Sequence, residues 1–196
     1  MSGPAPGPRH RSLRGPLAKV LWSDLMHAVH AHDYRDQERA DPKSLVVVAL
    51  SPEYAAVAMF RFAAWLMNTP LRPLGWLVHL FNRYLTASDI SPFADIGPGF
   101  RLAHATGVVI GDHVVAGRRL TVFNDVNLGA RLRGGRVAPD DGMPVVGEGV
   151  FVGAGARVLG PIVIGDHAII GANAVVVHDV DACVTVGGIP ARPIGA

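Results

Sequence analysis

Aliphatic residues recur at every sixth position through the second half of the chain. The series starts at Ile90 and Ile96, shifts by two residues after Leu102, and then keeps one phase as far as Val176. A period of six fits neither an α-helix, with 3.6 residues per turn, nor a plain strand, which alternates every two residues. It predicts a coil of stacked turns in which each aliphatic side chain points inward, and in which the glycine that often follows permits a tight corner.

Stacked turns of this kind cover one another and so bury a continuous apolar core. The spacing jumps once, from Leu128 to Val146, by 18 residues or three whole hexads. This jump predicts that residues 129–143 leave the coil as an excursion loop. The fold class expected over residues 88–196 is therefore mainly β, a parallel β-helix of hexapeptide repeats.

Helical signals precede the repeats. Apolar residues at helical spacing predict a helix over residues 17–39, with Asp24 on its polar side, and another over residues 74–85. Ser51, followed by proline and glutamate, is a typical N-cap, so a further helix is predicted over residues 52–67.

These elements divide the chain into three parts. Residues 1–16 are rich in glycine, proline and arginine and lack the apolar stretch of a secretory signal, so a disordered tail is expected. Residues 17–87 hold every tryptophan and tyrosine and are expected to form a small α-helical module. Most of the 23 glycines follow, and they belong to the coil.

The composition excludes several classes of protein. With 49% hydrophobic and 17% charged residues, the chain is not a solvated disordered polymer. The net charge is only +2, and the arginines cluster in the tail and the excursion loop, so nucleic-acid binding is not expected. The longest apolar stretch, residues 54–81, is interrupted by arginine and proline, so no membrane-spanning helix is expected.

The cysteine and several histidines bear on location and metal binding. Cys183 has no second cysteine to pair with, which fits a reducing compartment and a cytoplasmic location, and its thiol is expected to be buried. His27, His30 and His32 are spaced so that they could ligate a metal, but no cysteine or carboxylate set accompanies them. A polar helix face is favoured, and no metal is expected.

One histidine stands at the irregular point of the coil. His113 and His167 follow the repeated sequence IGD and are expected at exposed corners. His104 instead lies in the run AHATG of residues 103–107, where the phase shifts by two. An irregular turn can aim a side chain toward a neighbour or a cleft, so the pattern leaves a catalytic role and a packing role open for His104.

The same run carries a resemblance to a known family. The sequences AHATG at residues 103–107, DISP at 89–92 and GIPAR at 188–192 resemble the serine O-acetyltransferase family, and the similarity covers residues 89–195. The resemblance implies a left-handed β-helix that assembles as a homotrimer, with a hexamer as the alternative. It also implies a CoA-dependent O-acetyltransferase that moves the acetyl group of acetyl-CoA to a small acceptor.

The resemblance assigns roles to individual residues. His104 matches the histidine that acts as general base on the acceptor hydroxyl, and Asp89 matches an acidic residue that holds the acceptor or orients the site. Asp41 matches an acidic residue of the acceptor pocket, with a plain helix-terminus carboxylate as the alternative. The acetyl-CoA arm is expected along the outer coil at Gly129, Ala154 and Ala172, with Arg192 near its phosphates.

The chain departs from the family pattern at the acceptor side. Ala103 stands where the family has aspartate before the catalytic histidine, and Met143 stands where it has a second active-site histidine beside an arginine. Arg136, or another arginine of the longer excursion loop, is the candidate to replace that arginine. The tail by which the family docks cysteine synthase is not matched, so docking is not expected.

These departures keep several functions open. The acceptor is serine or a related small molecule, or else a non-serine hydroxyl or amine compound of a specialised pathway. A catalytically silent coil that acts as a scaffold or partner is the alternative from another class. Binding of an anionic polymer by the basic loop is a third hypothesis, which a steep salt dependence would reveal.

Overall fold

The computed structural model describes residues 15–32, 42–133, 136–137 and 142–195. Of the predicted disordered tail, residues 1–14 therefore lie outside the described residues. Within these ranges the chain forms four helices and then a series of short strands. The helices are α1 Leu17–His32, α2 Pro42–Ala49, α3 Pro52–Met67 and α4 Arg72–Thr86.

The described strands contain two or three residues each. They are β1 Asp89–Ile90, β2 Asp95–Ile96, β3 Arg101–Leu102, β4 Val109–Ile110, β5 Val115–Ala116, β6 Thr121–Val122, β7 Asn127–Gly129, β8 Leu132–Arg133, β9 Arg136–Val137, β10 Val145–Val146, β11 Phe151–Val152, β12 Arg157–Leu159, β13 Val163–Ile164, β14 Ile169–Ile170, β15 Val175–Val176, β16 Thr185–Gly187 and β17 Arg192–Pro193. β8 and β9 pair antiparallel with each other in the segment that links β7 to β10.

The other strands stack into three sheets, which form three faces of a coil. Face A is β1-β4-β7-β12-β15, face B is β2-β5-β10-β13, and face C is β3-β6-β11-β14-β16, which β17 extends antiparallel. The chain passes from face A to B to C and back, and paired strands are 18 residues apart where the repeat is regular. The predicted mainly parallel β architecture of hexapeptide repeats is confirmed.

The inward positions of the coil are those that the six-residue period predicts. Each aliphatic position of the series from Ile90 to Val176 is at most 4% exposed, and Ala116 keeps the phase with a smaller buried side chain. The residues four positions on, such as Ala94 and Ala156, are buried as well. An apolar core therefore runs along the coil, because each turn covers the next.

The glycines that directly follow the inward positions act differently from the prediction. The left-handed backbone conformation falls on the third residue after the inward position, which is glycine in some turns, as at Gly149 and Gly155, and His113, Asp125 or Cys183 in others. A Cβ on Gly97, directly after an inward residue, would lie 2.7 Å from the carbonyl oxygen of Gly117 in the next turn. These glycines therefore let the turns stack closely. Because Cys183 occupies a corner, its thiol is exposed, and the prediction of burial is wrong.

The helical predictions hold in part. Ser51 caps α3 by accepting the N–H of Tyr54 at 3.2 Å, and α3 spans the predicted residues. α4 begins at Arg72, two residues before the predicted start. α1 is described as far as His32, and the rest of its predicted length lies outside the described residues. α2 has no counterpart in the prediction, because its run of valines, residues 46–48, favours a strand.

α3 closes the N-terminal end of the coil. Phe60 of α3 meets Phe100 of the coil edge to face, with the ring centroids 6.1 Å apart. The apolar face of the helix joins the buried cluster of the coil through Ala56, Val57, Phe60 and Ala64. A solenoid needs such a cover over its terminal turn, since that turn has no neighbour to bury it.

A buried ion pair joins α1 and α3 to the first turn of the coil. Asp24 and Arg61 are both 0% exposed, and Arg61 Nε donates to Asp24 Oδ2 at 2.9 Å. Asp24 also accepts the N–H groups of Gly99 and Phe100 at 2.8 Å, while Arg61 donates to the carbonyls of residues 96–97. Asp24 is fully buried, so the prediction that it lies on the polar side of its helix is wrong. The sequence pattern misses this because the partner of Asp24 is 37 residues away along the chain.

The helices also leave apolar surface uncovered in the single chain. Trp76 and Phe81 of α4 are 51% and 59% exposed. No described helix is by itself long and apolar enough to cross a membrane; α2 and α3, which meet at 64°, would reach that length only as a bent pair.

Candidate active site

A cavity of about 220 Å³ opens where the helices meet the coil. The helices contribute Ala28, Val48, Tyr54 and Glu53 to its wall, and the coil contributes the chain from Phe100 to His104. Neither region builds this cavity alone, so the position of the helices on the coil decides its shape.

His104 lines the cavity from a corner between faces C and A, two residues after the end of β3. The corner is longer than the others because of the two-residue shift, and it ends at Gly107, whose φ is 75°. The N–H of Gly107 donates to the carbonyl of Ala87 at 2.9 Å, which ties the corner to the end of α4. The His104 side chain is 65% exposed, so a small molecule in the cavity can reach its imidazole.

Glu53 brings a negative charge to His104. Its Oε1 atom lies 3.9 Å from Nδ1 of His104, and its side chain is 29% exposed. Glu53 stands in the first turn of α3, where the helix dipole favours a carboxylate. Sequence reasoning used Glu53 only as a helix-start signal and missed this contact, because no local pattern links it to a histidine on the coil.

Other polar groups of the cavity wall are bound within the protein. Asp24 is held by Arg61, as described above. The hydroxyl of Tyr54 donates to the carbonyl of Leu21 at 3.2 Å. Burial raises the pKa of Tyr54, and the nearby Asp24 carboxylate raises it further, so the phenol stays protonated. Glu53 and His104 therefore form a carboxylate–imidazole pair on this wall, which also carries the cation Arg101.

Asp89 lies beside α4 and not beside His104. Its two carboxylate oxygens are 3.5 Å from Nε2 of His79 and 3.3 Å from Arg83. Burial lowers the pKa of His79, and the Asp89 carboxylate opposes that shift. Within one chain Asp89 pairs with α4 and His104 with Glu53, and these two predicted catalytic residues, both described, form no ion pair with each other.

Two of the predicted CoA-binding residues share an edge of the coil with His104. On this edge, between faces C and A, each corner donates a backbone N–H to the carbonyl of the corner before it, at 2.8 to 2.9 Å. Ala154 and Ala172 stand at successive corners of this ladder. Gly129 lies on a different edge, where the excursion leaves face A, and Arg192 is exposed on β17 at the C-terminal end of the coil.

The structure describes little of the predicted acceptor-binding residues. Asp41 lies outside the described residues, directly before Pro42, the first residue of α2. Arg136 belongs to β9, and its side chain lies outside the described set. Met143, at the end of the excursion, packs partly buried against the core of the coil.

The described histidines of α1 serve packing and hydrogen bonding. Nδ1 of His27 donates to the carbonyl of Gly99 at 2.5 Å, and Nδ1 of His30 donates to that of Met26 at 2.6 Å. Burial lowers the pKa of His27, although its hydrogen bond to Gly99 opposes the shift. Among the residues that the structure describes, no group of three or more histidine, cysteine or acidic side chains could hold a metal ion.

Comparison with known proteins defines the class of the protein. The family described as "Bacterial transferase hexapeptide (six repeats)" matches residues 143–178, which are coil turns after the excursion. Together with the three parallel faces and the inward hexads, this match defines a hexapeptide-repeat transferase.

Individual relatives identify the family within this class. Serine acetyltransferase of Mycobacterium tuberculosis (strain ATCC 25618 / H37Rv) is 42% identical over 161 residues, which cover 82% of this chain and 69% of the relative. A structure of soybean serine acetyltransferase complexed with serine has a TM-score of 0.76 at 34% identity, over 91% of this chain and 69% of that one. A structure of a serine acetyltransferase in complex with CoA has a TM-score of 0.75 at 29% identity, with the same coverage. The chain belongs to the serine acetyltransferase family, and the protein is an acyltransferase.

Proposed function

We propose that the protein transfers the acetyl group of acetyl-CoA to the hydroxyl of serine or of a closely related small acceptor. The observation that carries the proposal is the exposed imidazole of His104 on the wall of the cavity between helices and coil. The cavity is large enough for an amino acid. Relatives of the family support both substrates, since one solved structure contains serine and another contains CoA.

In this proposal His104 is the general base. The neutral imidazole takes the proton of the acceptor hydroxyl while the hydroxyl oxygen attacks the thioester carbonyl of acetyl-CoA. A C–O bond forms, the tetrahedral intermediate collapses, and the C–S bond breaks. The imidazolium returns its proton to the leaving sulfur, which yields the O-acetyl ester and CoA. A base positioned in this way is worth on the order of 10²- to 10⁴-fold in rate.

We place the CoA arm on the edge of the coil that carries His104. The small side chains of Ala154 and Ala172 leave the backbone of that edge open to the arm. Arg192 is exposed, and its guanidinium suits a phosphate group. Gly129 lies on another edge of the coil, and Asp89 pairs with α4 and not with His104 within one chain. We propose that a neighbouring coil of the assembly supplies these two residues to the site.

The acceptor side of the site favours a second candidate function. Asp41 and Arg136 are our proposed acceptor-binding residues. Ala103 cannot bind an acceptor through a charge, and Met143 is packed against the coil core, so two polar groups that the resemblance assigns are missing. A non-serine hydroxyl or amine acceptor from a specialised pathway would fit such a changed pocket.

We further propose how the chain is organised and where it works. Residues 88–196 would form a left-handed acyltransferase domain that assembles as a cytoplasmic homotrimer, and residues 17–87 a helical module upon it. Val163 and Ile169, on two faces of the coil, are 52% and 44% exposed and offer apolar surface for assembly. The exposed rings of α4 would serve the alternative, a hexamer of two trimers.

The test is the release of CoA thiol from acetyl-CoA by the purified protein, with L-serine and with a panel of other hydroxyl and amine acceptors. Release that depends on L-serine supports the first function. Release with another acceptor only would replace serine by that acceptor. No release with any acceptor, together with no CoA binding by calorimetry, would overturn the enzymatic proposal in favour of a silent scaffold.

A further inference from the structure

A neutral histidine acts as a base only from the nitrogen that carries no proton. Its other nitrogen must then hold the proton, and a nearby acceptor fixes that arrangement. The neighbouring side chain of Ala103 is a methyl group and cannot accept a hydrogen bond. Asp89 is occupied by His79 and Arg83. Within one chain, the partner of His104 must therefore come from another element.

Glu53 has the position that such a partner needs. Among the described residues, Glu53 is the carboxylate within ion-pair distance of His104, at 3.9 Å from Nδ1. The ring of Phe123 meets the imidazole edge to face, with centroids 6.2 Å apart and an interplanar angle of 78°, and so limits its rotation. Ser51 caps the start of α3 and so fixes the backbone that carries Glu53.

The other charged and titratable groups of the cavity do not substitute for this carboxylate. Asp24 of α1 is neutralised by Arg61 of α3. Tyr54, next to Glu53, donates its hydroxyl to a backbone carbonyl. Arg101 of β3 lines the same cavity and stays positively charged. Glu53 is thus the group whose negative charge faces His104.

We propose that Glu53 is the positioning residue for His104. Its carboxylate accepts a hydrogen bond from the Nδ1–H group of His104, which leaves Nε2 free to take the proton of the acceptor hydroxyl. The carboxylate also stabilises the imidazolium that forms. We expect the 3.9 Å separation to shorten when substrates exclude water, because catalytic hydrogen bonds tighten in substrate complexes. The catalytic meaning of the pair rests on the proposed function, whereas its effect on the His104 tautomer does not.

The tautomer of His104 can be read directly by ¹H–¹⁵N NMR of the imidazole nitrogens at about pH 8. The His104 signals are assigned by their loss in His104→Asn. We expect the Nδ1–H tautomer to dominate in the unaltered protein, and the Nε2–H tautomer to gain population in Glu53→Ala. Glu148→Ala, which removes an exposed glutamate paired with Arg119, should leave the ratio unchanged. An unchanged ratio in Glu53→Ala would overturn the proposal.

Kinetics provide the second readout. We expect Glu53→Ala to lower kcat by at least about 10-fold and at most about 10⁴-fold, the upper figure being the loss when the carboxylate behind the histidine of a catalytic triad is replaced, with the KM for acetyl-CoA unchanged. Glu53→Asp should recover part of kcat. A raised KM with an unchanged kcat, or an equal loss in Glu148→Ala, would contradict the assignment. If the unaltered protein releases no CoA with any acceptor, the proposed function fails, while the NMR result still decides the role of Glu53.

Discussion

The coil and the helical segment, which comprises α1 to α4, are stabilised in different ways. Each turn of the coil repeats one requirement, an aliphatic side chain at the inward position, and every such position is buried. The helical segment depends on particular pairs, above all on Asp24 and Arg61, which are fully buried where it meets the coil. The cavity with His104 lies at that junction.

This difference shows which substitutions each region tolerates. The coil can exchange one aliphatic residue for another without losing its shape, because the period alone defines its inside. The helical segment is held by charged groups whose desolvation is offset only while both partners are present. The site therefore combines a regular edge, suited to a long ligand, with a junction that single substitutions disturb.

The largest expected effect on stability comes from the ion pair at the junction. Arg61→Met leaves the buried carboxylate of Asp24 unpaired, and we expect a loss of about 3–5 kcal/mol of unfolding free energy, the range for breaking a buried pair. Urea unfolding measures it. The control is Arg157→Met, which removes an exposed pair with Asp125 at 3.2 Å and should cost about 0–1 kcal/mol. Equal losses in the two variants would contradict the contrast between the regions.

Two adjacent isoleucines test the inside and outside of the coil. Ile170 is 0% and Ile169 is 44% exposed in the single chain. We expect Ile170→Ala to cost about 2–5 kcal/mol, because it opens a cavity in the core. Ile169→Ala should cost far less in a monomer. A comparable loss for Ile169→Ala, measured by the same unfolding curves, would show that this face is covered in the assembled protein.

The smallest effect concerns pH. Burial lowers the pKa of His27 and His79 below the value near 6.5 that an unfolded chain gives. Their neutral forms therefore contribute fully above about pH 6.5, and the contribution is lost as pH falls through the lower folded values. Unfolding midpoints should drop between about pH 7.5 and 5.5, and drop less in His79→Gln. His113→Asn, at an exposed corner of the coil, should leave the drop unchanged; a smaller drop there would refute the assignment.

The sequence alone predicts the coil well, because its signals are periodic or local. The period of six identifies the buried side of every turn from Ile90 to Val176, and Ser51 before Pro52 marks the start of α3. α2 is missed because its valines favour strands, and tertiary packing against α1 overrides that preference.

The site is predicted only in part, because its contacts join distant residues. His104 is found from the irregular corner and from the resemblance. Asp24 is assigned to the wrong side of α1, since its partner Arg61 is 37 residues away. Glu53 is missed for the same reason, because its contact with His104 depends on how α3 lies across the end of the coil.

The central claim is that His104 is the base of an acetyl transfer, and one pair of rates tests it most directly. CoA release is measured for His104→Asn and for the matched His113→Asn, both at saturating acetyl-CoA with the best acceptor of the panel. We predict that His104→Asn lowers kcat on the order of 10²- to 10⁴-fold without loss of folding, and that His113→Asn keeps the rate. A His104→Asn protein that retains its kcat would contradict the account.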